Sequence, residues 1–284
     1  MQRDSIDFSS SDVGKLFRRF LFPTVMGMVF SAVFVITDGI FVGRGIGSDA
    51  LASVNIVAPL FTLGTGLGLM FGMGGSVVAS INLAQDKRRV AEINITQSLA
   101  LPALLIALLS ALLIHCHEPL LMLLGTPGEL MVPAREYLVW FTLFLAPLAV
   151  FNILMFIVRL DGAPGFAMAC NIMAACINIA LDYLFIFVFE WGLAGAAVAT
   201  GIGYVVGSGV MLWYMFRRSR TLRFVKLKMS GKSMRLTVRN LWYMSYIGFP
   251  ALLSELAISC LMIVGNYTFI HYVGKDGVAA YSIA

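Results

Sequence analysis

Asp38, Asp182 and Glu255 are carboxylates set deep inside long apolar stretches of the chain. A carboxylate within a membrane span is expensive, and by default it marks the path of an ion, a proton or a substrate. Asn178 stands four residues before Asp182, on the same face of a helix. Counted from the outer end of each stretch, Asp38 lies about five residues in from Gly43 and Asp182 about eight in from Glu190. Thr200 lies about seven in from Leu193, and Tyr137 about four in from Pro133. At about 1.5 Å of rise per residue, all four sit roughly 6–12 Å below one surface. Polar groups from four different helices can therefore meet in one layer, with Asn152 deeper and more peripheral.

Such a layer supports two chemistries. Two carboxylates side by side in a low-dielectric site repel and do not both ionise, so the pair can carry a proton near neutral pH. Carboxylate, amide and hydroxyl oxygens also suit a hard cation such as Na⁺, with Asp38, Asn178, Asp182 and Thr200 as its ligands. Either site empties when a competing positive charge arrives, and antiport of a cationic substrate needs that. Asn and Thr alone can simply glue helices together, whereas two aspartates at one depth favour function. Glu255, five residues after Pro250, stands apart and is read as a second cation or substrate site. Pro23 and Pro250 each remove a backbone donor early in a span and permit a bend. Asp38 lies downstream of Pro23 on the same helix, so bending is expected to couple its protonation to shape.

These readings depend on the spans that hold the residues. The 284 residues are 60% hydrophobic and 12% charged, with a mean hydropathy of +0.89. A soluble domain carries about twice that charge fraction. Apolar runs of about 20 residues or more, long enough to cross a bilayer as helices, are read at 20–43, 51–83, 93–115, 133–158, 166–189, 193–216 and 244–272. An eighth begins near Val278. The run at 51–83 exceeds the bilayer and is expected to tilt. The opening residues, MQRDSIDFSSSD, lack the basic-then-apolar layout of a cleavable signal, so this tail is expected to stay in the mature protein.

With the N-terminus in the cytoplasm, 17 of the 20 Lys and Arg residues fall on the inner side, nine of them between Arg217 and Arg239. Only Arg44, Arg135 and Lys275 fall outside, a strong positive-inside bias. The net charge of +5 then calls for no nucleic-acid partner. The basic loop at 217–239 reads first as a topology signal and second as a grip on anionic lipid heads. The four cysteines show no spacing of a disulfide frame or zinc site. His115, Cys116, His117 and Glu118 are adjacent, and adjacent residues on a helix point apart, which argues against a metal cluster. The 16 Met and 21 Phe residues can line a promiscuous pocket, though most are expected to face lipid or other helices. Gly64, Gly68 and Gly72 form a small-residue face for close helix contact.

Shifted by 227 residues, 22–57 lie over 249–284 without a gap. Seven of the 36 pairs are identical, including Phe22–Phe249, Pro23–Pro250, Gly47–Gly274, Asp49–Asp276 and Ile56–Ile283. Six spans separate the copies, so both enter from the same side, as in transporters built from parallel repeats. The expected fold is an all-α polytopic membrane protein. Residues 1–225 form a six-helix lobe, 226–243 a basic cytoplasmic loop, and 244–284 the start of a second, truncated lobe from a twelve-helix whole.

FPTVMGMVFSAVFVITDGIFVGRGIGSDALASVNI resembles the first span and following loop of the multidrug and toxic compound extrusion (MATE) transporters. LLGTPGELMVPAREYLVWFTLFLAP, VRLDGAPGFAMACNI, and NIALDYLFIF followed by GLAGAAVAT resemble later parts of the same lobe. Ala84-Gln85-Asp86 departs from the family by lacking a glycine. The resemblance implies two six-helix lobes around a V-shaped cavity, and efflux of cationic or amphipathic compounds in exchange for Na⁺ or H⁺. It places a first-lobe cation site on Asp38, Asn178, Asp182 and Thr200, with Tyr137 and Asn152 nearby, and a second-lobe acid on Glu255. A lipid-linked-sugar flippase of the wider superfamily would need cationic side chains in the cavity, and no Lys or Arg lies deep in a span. A retinal pump or receptor would need a buried Lys, and none of the six lies in a span. An intramembrane aspartyl protease would need a Gly-x-Gly-Asp setting, absent around Asp38 and Asp182. No enzymatic chemistry and no cofactor beyond the coupling ion are expected. The full-length protein is expected to be a monomer in the cytoplasmic (inner) membrane, meeting lipid and a small substrate.

Overall fold

The computed structural model describes residues 13–219, 221–227 and 231–281. The polar tail, part of the basic loop and the Ile56–Ile283 match lie outside these residues. Every regular element among them is helical: α1 Val13–Gly45, α2 Ser48–Ala84, α3 Arg88–His115, α4 His117–Leu123, a 3₁₀ turn Gly128–Leu130, α5 Met131–Leu143, α6 Leu145–Leu160, α7 Pro164–Asp182, α8 Gly192–Arg217, α9 Gly231–Tyr272 and α10 Lys275–Tyr281. Six helices, or seven spans if the bent α5–α6 pair counts as one, are long and apolar enough to cross a membrane.

Local physics accounts for three departures from the expected spans. The span read at 133–158 is two helices meeting at 46°. Pro147 has no N–H for the Leu143 carbonyl, and its ring crowds that carbonyl, so α5 stops there. The Phe144 ring lodges against Gly201 of α8, where any Cβ would overlap it. Next, α7 passes directly into a π-turn, Tyr183–Val188, which widens the helix just beyond Asp182. Finally, α9 begins at Gly231, so most of the stretch expected as a basic loop is helical. Lys and Arg are good helix formers. Thr237 and Asn240 turn inward to bond Gln97 and Asn94 of α3.

The repeat recurs in backbone geometry. Helix α1 ends at Gly45 and α2 starts at Ser48; 227 residues on, α9 ends at Tyr272 and α10 starts at Lys275. In the first turn the N–H groups of Ile46 and Gly47 both donate to Val42 O, and in the second those of Val273 and Gly274 both donate to Phe269 O. Gly47 (φ 129°) and Gly274 (φ 82°) adopt conformations that a side chain would strain.

Helix α2 is central. Gly64, Gly68 and Gly72 meet Leu145, Asn152 and Phe156 of α6, as the small-residue face predicts. A second face lies along α9 for most of its length. There, Thr62 and Ser259 share a short hydroxyl contact. Asn55 Nδ2 donates to Asn266 Oδ1 at 3.1 Å, and Asn266 Nδ2 donates back to Asn55 O at 3.2 Å. Asn266 is 1% exposed. Asn266→Ala leaves Asn55 short of partners and is expected to cost about 1–3 kcal/mol, read as a lowered unfolding midpoint in detergent.

Candidate cation site

Asp182 is 0% exposed at the end of α7. Asp38 approaches it from α1, the two carboxyls lie within electrostatic reach of each other, and Asn178 stands one helical turn before Asp182 on the same face of α7. Asn178 donates its Nδ2 to Thr200 Oγ1 of α8 at 3.1 Å. Tyr137 of α5, buried and stacked on Phe141, lies within electrostatic reach of Asp38, Asp182 and Tyr204. Asp38, Tyr137, Asn178, Asp182 and Thr200, carried by α1, α5, α7 and α8, thus lie near one another in the fold.

The donors in this layer fall short of its acceptors. Both oxygens of Asp182, Oδ1 of Asp38 and Oδ1 of Asn178 are buried without a hydrogen-bond partner. Neither aspartate joins an ion pair among the described residues. Buried acceptors are rarely left bare, and ionised carboxylates out of water need a counter-charge. A cluster with this excess of acceptors fits a proton shared between the carboxyls or a small hard cation among the oxygens.

A cavity of about 210 Å³ adjoins the layer, lined by Asn152, Asn171, Asn178, Thr200 and Tyr204 among others. Asn152 thus faces the cavity rather than the acid pair, and its Nδ2 is returned to Leu148 O at 3.1 Å. Glu255 lines neither. Its Cβ rests over Gly66 on the α2–α9 seam. Both Pro23 and Pro250 lie inside continuous helices.

Three polar residues escaped the sequence reading. Tyr204, within electrostatic reach of Asp38, stands four residues after Thr200 on the same helix face. Asn171, seven residues before Asn178, donates to Gly27 O and Ser31 Oγ of α1, both at 3.0 Å, and so fixes the helix carrying Asp38. Asp161, in the α6–α7 turn, is buried and accepts from Tyr214 Oη at 2.8 Å and Ser219 Oγ at 3.0 Å. Helical periodicity would have found the first two, whereas Asp161 sits at a span end, where a carboxylate looks solvated. Near His115, no three His, Cys, Asp or Glu side chains converge, and none do elsewhere among the described residues.

A family model described as MatE matches residues 23–184. The multidrug export protein MepA of Staphylococcus saprophyticus subsp. saprophyticus is 30% identical over 285 residues, and that of Staphylococcus aureus strain MRSA252 is 29% identical over 286. Each alignment covers 98% of this chain and 60% of the relative. The chain therefore spans about three-fifths of the length of these relatives. Among solved structures, a complex of the MATE multidrug transporter DinF-BH superposes with a TM-score of 0.86 at 25% identity, covering 99% of this chain and 62% of that one. The inward-facing conformation of a multidrug resistance MATE family transporter of the MOP superfamily gives 0.78 at 26%, covering 88% and 56%. With its all-helical architecture and its match to the family model over more than half its length, the chain belongs to the MATE family of transporters.

Proposed function

We propose that this chain forms the first six-helix lobe and the opening of the second lobe of an efflux antiporter. It would export cationic or amphipathic small molecules in exchange for Na⁺ or H⁺. The carrying observation is the Asp38–Asp182 pair, whose buried oxygens have no donor beside a cavity of small-molecule scale. A proton or Na⁺ fills that deficit and a cationic substrate competes for it, so loading and emptying of the site can drive exchange. The relatives named as multidrug export proteins support export as the activity. The basic end of the lobe faces the cytoplasm in this reading, with the protein in the inner membrane, and Glu255 serves the second lobe.

Efflux of a cationic dye by the full-length protein in vesicles, under imposed Na⁺ or pH gradients, tests the proposal. One gradient is expected to drive efflux in wild type, and Asp38→Asn to uncouple it. Normal coupling in both Asp38→Asn and Asp182→Asn would refute the first-lobe site. Pro23→Ala restores a backbone donor upstream of Asp38 and is expected to slow coupled efflux without altering the fold. Full transport and coupling in that variant would remove the hinge.

A further inference from the structure

We infer that the basic end carries a binding site for anionic phospholipid headgroups, built by the segment that follows α8. This segment does not leave the lobe. Asp161 Oδ1 accepts from Ser219 Oγ (3.0 Å), Thr221 N (2.9 Å) and Leu222 N (3.1 Å), while its Oδ2 accepts from Tyr214 Oη (2.8 Å). Further along, Val225 N donates to Thr96 Oγ1 of α3 at 3.1 Å. Leu222 is fully buried, and the Phe224 ring packs 5.5 Å from Phe216. The segment is thus a strap fastened across the base of the lobe.

Its inward positions being apolar, its outward positions are basic. Arg223 and Lys226 are exposed on the strap, next to exposed Arg217 and Arg218 at the end of α8. None of the four joins an ion pair among the described residues. Residues 191–254 contain no Asp or Glu at all. One turn inside this rim, Trp213 is 51% and Phe216 70% exposed, and the Arg218 guanidinium lies 5.5 Å over the Trp213 ring. Exposed aromatic rings just below a cationic rim match the two parts of a phospholipid, acyl chain and phosphate. A topology signal needs only the number of charges. Here the charges are also held in place, which a signal does not require and a headgroup site does.

The test is native mass spectrometry of the full-length protein released from nanodiscs of phosphatidylcholine with and without phosphatidylglycerol. Wild type is expected to retain phosphatidylglycerol preferentially, and to lose the preference as salt rises. Each neutralised charge is expected to weaken retention about fivefold, so R217Q/R218Q and R223Q/K226Q should each lower it well over tenfold. R44Q, an exposed charge at the opposite end, should leave it unchanged. The inference fails if wild type shows no preference, if both paired variants keep it, or if R44Q lowers it as much. It fails equally if inorganic phosphate displaces the lipid as readily as phosphatidylglycerol does. The salt series on wild type needs no variant: a preference that rising salt leaves unchanged overturns the inference even where a variant is poorly produced.

Discussion

Asp182→Asn is expected to abolish ion-coupled efflux while leaving the protein at least as stable as wild type. Asparagine has nearly the shape of aspartate, so packing around this fully buried side chain is kept. What changes is charge. A monovalent cation about 4 Å from a carboxylate gains roughly 4 kcal/mol at an effective dielectric constant of about 20. Losing one of two carboxylates should therefore weaken cation binding by more than about a hundredfold. The shared-proton form is lost as well, because an amide does not titrate. Stability moves the other way: the substitution removes one of two buried acidic groups that repel, and the new amide N–H can donate to Asp38 Oδ1, which lacks a partner. The measurements are gradient-driven dye efflux and the unfolding midpoint of the same preparation. Unchanged coupling would remove Asp182 from the site. Lost coupling with a much lowered midpoint would mean that the carboxylate holds α7 in place rather than binding the ion.

Much of this site was legible in the sequence because burial in a membrane is written in composition. A carboxylate within an apolar run announces itself, and depth along a helix follows from rise per residue, so Asp38, Asp182, Thr200 and Tyr137 could be set in one layer before any fold was known. The i−4 spacing placed Asn178 with Asp182, and the hydrogen bond to Thr200 follows from that placement. The repeat was legible for a different reason: a glycine with positive φ is required where α1 turns into α2 and again where α9 turns into α10, so the turn chemistry left identical residues behind. What stayed hidden depends on contacts between distant segments. The bend at Phe144 had a local cue in Pro147, but its angle is set by the ring against Gly201. Asn171 gains its meaning only once Gly27 and Ser31 lie beside it. The strap after α8 reads as a solvated basic loop until Asp161 is seen to hold it.

Gly248→Ala is expected to be the most destabilising single methyl in the molecule. Gly248 and Met70 oppose each other where α9 crosses α2, and one turn away Gly74 and Met244 do the same. The contact is reciprocal. A Cβ on Gly248 would lie 1.9 Å from Met70 O, and one on Gly74 would lie 2.0 Å from Met244 O. The obstacle is backbone in both cases, so no rotamer change relieves it, and the helices must part by more than about 1 Å. Parting them strains the seam on either side of the crossing. Toward one end lie the α2–α9 pairs Thr62–Ser259 and Asn55–Asn266, and toward the other Thr237 and Asn240 of α9 bond Gln97 and Asn94 of the neighbouring α3. These groups bond one another away from water, so each lost pair adds about 1–3 kcal/mol to the overlap itself. A total above about 4 kcal/mol is expected, a large fraction of the stability of a typical domain, so the yield of folded protein and its unfolding midpoint should both fall sharply. Gly209→Ala is the matched control. Gly209 lies within α8 with nothing within 4 Å of its would-be Cβ, so the same methyl there should stabilise by up to about 1 kcal/mol through helix propensity. Thermal unfolding of the purified proteins in one detergent should move in opposite directions for the two variants. A Gly248→Ala midpoint equal to wild type would mean that α2 and α9 do not touch backbone to backbone, and that the seam is carried by its polar pairs alone.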